Sequence, residues 1–122
     1  MEQIPKEVQD KIAQFQGLQN QLQMVSLQKQ QLLLQSSDIE NALAELEKVK
    51  DEKIYKAVGT LLIETKKEGS EKKLKESKET VSARIKILEK QEQKITGRLN
   101  ELKTEVQALL KGSDEGEIVT AG

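Results

Sequence analysis

The sequence predicts a mainly α chain: a long antiparallel two-helix coiled coil whose helices are joined by one short β-hairpin. Three observations predict it. Aromatic residues make up 2% of the 122, one Phe and one Tyr with no Trp, while charged residues make up 34%. Large rings supply much of the buried area of an ordinary core, so a ring-poor, charge-rich chain suits long helices better than a globule. Along two long segments, apolar residues recur at alternating steps of three and four, the 3.5-residue seam of a coiled coil. Between those segments lies a short run of strand formers centred on Gly59.

At this length one domain is expected over residues 1–122. Its parts are a first helix over 1–52, a hairpin over 54–66, a second helix over 70–111 and a disordered tail over 112–122. The single proline, Pro5, stands near the start, where a missing N–H deprives no helical partner. The first seam reads Phe15, Leu22, Lys29, Ser36 and Leu43, interleaved with Leu18, Val25, Leu32, Ile39 and Leu46. Only Lys29 and Ser36 break it. The second reads Leu74, Lys78, Val81, Ile85, Leu88, Glu92, Ile95, Leu99, Leu102, Val106 and Leu109, broken only by Lys78 and Glu92. Gly17 and Gly97 fall on outward positions, where a glycine costs about 1 kcal/mol against alanine and is tolerated.

Folding back pairs Leu46 with Leu74 and, layer by layer, brings Phe15 opposite Val106. The numbers of facing residues add to a near-constant value throughout, so one register serves the whole seam. Lys29 then falls opposite Glu92. The two either form an ion-paired layer that fixes register, as polar core residues do elsewhere, or both reach out to solvent and never meet. From Lys11 to Leu46 such an arm extends about 54 Å at 1.5 Å per residue.

The middle segment, Ile54 to Thr65, reads as two strands around a turn near Val58–Thr60. Ser70 then offers a helix cap with Glu71 behind it, and Lys111-Gly112 offers a helix end. The tail from Ser113 has acids, no base and little apolar content, the composition of a disordered segment.

An isolated hairpin is marginal in water. This one carries Leu61-Leu62-Ile63, apolar on both faces, and open edges that proteins normally pair or cover. Several chains joining hairpins into a closed sheet would satisfy it, so the segment reads as an oligomerisation module. The alternative is a hairpin folded onto its own helix ends. The opposite end of the arm gathers Ile4, Val8, Ile12 and Phe15 near Val106, Leu109 and Leu110. Apolar surface there either closes the coiled coil or binds something.

Several classes are excluded. With no Cys and no His there is no disulfide, thiol nucleophile, imidazole base or Cys/His zinc site. No phosphate-binding glycine loop is present, so neither an enzyme nor a cofactor or metal protein is expected. The longest apolar runs are three residues, far short of the roughly 20 that span a bilayer. No signal peptide is visible. The net charge of −1, with Lys and Glu interspersed, speaks against nucleic acid and against a membrane-surface helix.

Three stretches carry a resemblance. Gln14-Phe15-Gln16-Gly17-Leu18-Gln19 is similar to the Gln-rich opening of beta-class prefoldin subunits. Asn41-Ala-Leu-Ala-Glu-Leu46 is similar to the end of their first helix. Ile54-Tyr55-Lys56-Ala57-Val58-Gly59 with Leu61-Leu62-Ile63 resembles their hairpin. The likeness covers about residues 3–111, and one hairpin rather than two indicates beta rather than alpha, in a short form that looks archaeal.

The resemblance implies a cytoplasmic hexamer of two prefoldin alpha and four beta subunits, the hairpins assembled into a β-barrel platform. It implies an ATP-independent chaperone holding non-native proteins at its arm tips and delivering them to a group II chaperonin. Carried over, the platform residues are Ile54, Tyr55, Val58, Gly59, Leu61, Leu62 and Ile63. The client-facing residues are Ile4, Val8, Ile12, Phe15, Leu109 and Leu110. The rival expectation is a coiled-coil scaffold or tether in a multisubunit complex.

Overall fold

In the computed structural model the element order is α1 (Lys6–Lys48), β1 (Ile54–Val58), β2 (Leu61–Thr65) and α2 (Lys67–Ala121). The structure describes residues 4–50 and 53–121, with side chains described as far as Gly112. Two long helices joined by a short antiparallel hairpin are what the seams and the strand formers predict.

The helix boundaries differ from those expected. Helix α1 opens after Pro5, whose carbonyl accepts from the Gln9 N–H at 3.0 Å, while the Gln9 side chain donates to the Ile4 carbonyl at 2.8 Å. It ends at Lys48, short of residue 52. The Val49 N–H there closes a tighter turn onto the Leu46 carbonyl at 3.1 Å. Helix α2 starts at Lys67 rather than at Ser70. The Lys66 carbonyl already accepts the first helical bond, from the Ser70 N–H at 3.0 Å, so Ser70 lies inside the helix and caps nothing. The Lys67 ammonium donates to the Val49 carbonyl at 2.8 Å and ties the two helix roots together.

At its other end α2 runs through Gly112 to Ala121, past the helix end that Lys111-Gly112 offers. A single glycine costs a helix only about 1 kcal/mol, and nothing after Gly112 is a proline that would break the hydrogen-bond ladder.

The chain forms two compact units, Met1–Leu27 with Leu88–Gly122, and Gln28–Ile87. In the first, Val25, Ile95 and Leu99 are buried with Phe15, Leu18, Leu22 and Leu88 packed against them. Lys11 bonds Glu105 and Ser26 bonds Glu92, so the two helix segments run antiparallel. In the second unit, Ile39, Val81 and Ile85 are buried with Leu32, Leu43 and Leu74 against them. Lys78 pairs with Glu40 at 3.4 Å, and the strands join the helix roots. Here too the helices are antiparallel. Lys78, a break in the second seam, reaches sideways to that carboxylate, as a long cationic side chain does beside an apolar seam. Each buried residue named is a seam residue. The described residues include no buried polar or charged side chain, so each core is purely apolar.

Candidate functional site

The hairpin of the second unit is a two-stranded sheet, with Ile54 opposite Thr65, Lys56 opposite Ile63 and Val58 opposite Leu61. Side chains alternate across a strand. One face therefore carries Ile54, Val58, Leu61 and Ile63, and the other Tyr55 and Leu62. Gly59 turns the chain with φ +59°, a left-handed conformation in which a side chain is strained. Only the base of the hairpin, Ile54 and Thr65, is half-buried. Tyr55, Val58, Leu61, Leu62 and Ile63 are all exposed, Leu62 at 72%. In this sheet both strands are edges, each with one row of backbone N–H and C=O groups unpaired within it. Of the seven residues expected to assemble, six thus lie on or beside an uncovered apolar surface, and Gly59 shapes its turn.

In the first unit the six expected helix-end residues separate. Ile4 is 49% and Leu110 42% exposed, and Ile12, Phe15 and Leu109 are half-buried. Val8 is 1% exposed and therefore belongs to the buried seam rather than to the surface. The reason is periodic: Val8 stands seven residues before Phe15 and occupies the same seam position. The charged Lys11 between them hides that continuation in the sequence. Ile12 and Phe15 line a small depression of about 200 Å³ with Val106, Gln107 and the stem of Lys103. Val106, expected near Ile12 and Phe15 at this helix end, lies beside them here, whereas Lys103 and Gln107 were not singled out in the sequence.

Beside the depression the helices are clamped by charge. The Lys11 ammonium bonds the Glu105 carboxylate at 2.7 Å, and Arg98 reaches Glu105 at 3.6 Å and Glu101 at 3.0 Å. The Lys11 hydrogen bond, helped by the nearby charges of Lys11 and Arg98 and opposed by partial desolvation, holds the Glu105 carboxyl below its ordinary range. A lowered carboxyl pKa stabilises the folded state above the unfolded value and stops doing so as pH falls through the folded one. Glu105→Gln is therefore expected to increase hydrogen exchange at the start of α1 at neutral pH. The increase should vanish in strong acid, where the native carboxyl is also protonated. An equal increase at both pH values would show that the pair holds nothing.

Lys29 on α1 and Glu92 on α2 are both half-buried. Within its own unit Glu92 accepts a hydrogen bond from the Ser26 hydroxyl at 2.7 Å, a partner the heptad count did not supply. Among the described residues no group of three or more acidic, Cys or His side chains could hold a metal, and no helix is long and apolar enough to cross a membrane.

Residues 9–113 match the family model described as "Prefoldin subunit". A prefoldin subunit beta of Archaeoglobus fulgidus is 47% identical over 111 residues, covering 90% of this chain and 96% of that protein. A prefoldin subunit beta of Pyrococcus furiosus is 41% identical, over 95% of this chain and 100% of that one. Among solved structures, the prefoldin beta subunit of Thermococcus strain KS-1 is similar with a TM-score of 0.83 at 40% identity, covering 90% of this chain and 97% of that one. The beta2 subunit of the same strain gives a TM-score of 0.67 at 27% identity, over 74% and 97%.

Proposed function

Since the chain belongs to the beta class of the prefoldin subunit family, we propose that it is one arm of an ATP-independent holding chaperone. In this reading its hairpin joins others in a closed β-barrel platform of two alpha and four beta subunits, in the cytoplasm. Its helix ends hold non-native proteins and pass them to a group II chaperonin. The family is one of non-enzymatic chaperones, and we assign this chain no catalytic residue and no cofactor.

One observation supports the holding function: the apolar depression of Ile12, Phe15 and Val106, in the same unit as the exposed Ile4 and Leu110. A shallow apolar surface without a shaped polar site suits many unrelated sequences better than one folded partner. The hairpin supports the assembly, since its unpaired edges and two apolar faces are completed by other strands.

The test is suppression of aggregation of a chemically denatured protein by the assembled complex, followed by light scattering. The triple variant Ile4→Ser, Ile12→Ser, Leu110→Ser is expected to weaken holding at least about tenfold, since each loses roughly 1 kcal/mol of apolar contact. It should leave assembly unchanged. Full holding by the variant would place client binding elsewhere. A wild-type complex that holds nothing would favour a scaffold or tether.

A further inference from the structure

We propose that the root of the helix pair, in the unit Gln28–Ile87, is a docking site for an acidic segment of a partner protein anchored by one aliphatic side chain. Beneath the hairpin lies a cleft of about 470 Å³, lined by Ala42, Leu46 and Leu74 from the helices and by Ile54 and Tyr55 from β1. Its surface is chiefly apolar, and it is open to solvent. It shares Lys56, Lys73 and Ser77 with an adjoining depression on α2, which Arg84 also lines. Two cations, Lys56 and Lys73, thus border the apolar hollow, and a third, Arg84, lines the adjoining polar depression together with one acid, Glu76.

The charge pattern selects the occupant. Among the described residues, none of Lys56, Lys73 and Arg84 takes part in an ion pair, whereas Lys67 and Lys78 on the same helix do. A chain with a net charge of −1 that gathers uncompensated cations at one hollow presents a local positive field there. Complementary potential brings an acidic segment to it and orients it, while the apolar hollow takes the anchoring side chain. Nucleic acid fits less well, because the hollow offers one ring, Tyr55, and no stacking series. The site needs the hairpin only as a wall and is independent of client holding at the helix ends.

The test uses the full chain in its assembled complex and a fluorescein-labelled peptide, Gly-Glu-Glu-Leu-Leu-Glu-Glu-Gly, read by anisotropy. Binding is expected, and it should weaken as salt rises. Lys73→Glu with Arg84→Glu should weaken it more than tenfold. Ser77→Trp, an exposed substitution that fills the hollow, should do the same without reversing any charge. The helix-end variant Ile4→Ser, Ile12→Ser, Leu110→Ser should bind the peptide normally. Loss of binding in that variant would mean that the peptide is held as a client, and would overturn the proposal. So would unchanged binding by both root variants, an equal affinity for poly-uridine, or no binding at all.

Discussion

A chain carrying Leu61→Glu and Ile63→Glu is expected to stay monomeric at concentrations where the native chain assembles. Both side chains lie on the same face of β2, and both are exposed when the hairpin stands alone. Burying each in a platform contributes about 2 kcal/mol, so losing both weakens an interface by on the order of a thousandfold. The carboxylate at position 61 has no cation opposite it and costs more still when buried, while the one at position 63 stands opposite Lys56. The helices should be unaffected, because neither residue belongs to the buried clusters. Sedimentation velocity gives the mass, and circular dichroism of the same sample gives the helix content. Assembly at native concentration by the double variant would mean that chains meet through some other surface.

Leu102→Ala is expected to be the most damaging single truncation in the first unit. Leu102 is 0% exposed, and an alanine there leaves a cavity in a thin two-helix seam, costing about 3 kcal/mol. Leu110→Ala, at 42% exposure, should cost less than about 1 kcal/mol. Urea titration at fixed protein concentration compares the two. Hydrogen exchange should place the loss in residues 6–27 and 88–112 and leave the hairpin protected as before. Equal effects from the two truncations would show that the seam does not run through Leu102.

The seam was legible because coiled-coil packing writes itself into a spacing of three and four. Val25, Ile39, Val81, Ile85, Ile95, Leu99 and Leu102 were all placed on it by counting, and all are buried. Val8 shows where counting stopped too early. Lys11 occupies a seam position between Val8 and Phe15, and its ion pair with Glu105 lets the seam continue through a charge. That partnership joins residues far apart in sequence, so no local pattern announces it. The same limit applies to the helix ends. Ser70 and Gly112 have the composition of a cap and a stop, but the backbone ladder starts earlier and runs past them. On the hairpin, strand formers and a central glycine predicted both the element and its exposure. The root cleft was invisible, because its lining comes from both helices and a strand and follows no period.

The placement of Tyr55 has a practical result. The chain contains no Trp and no other Tyr, and this phenol ring sits exposed on β1. Excited at the long-wavelength edge of phenol absorption, where Phe15 does not absorb, the isolated chain therefore emits from the hairpin. Joining of like chains can be followed by the intensity and polarisation of that one ring, with no label attached.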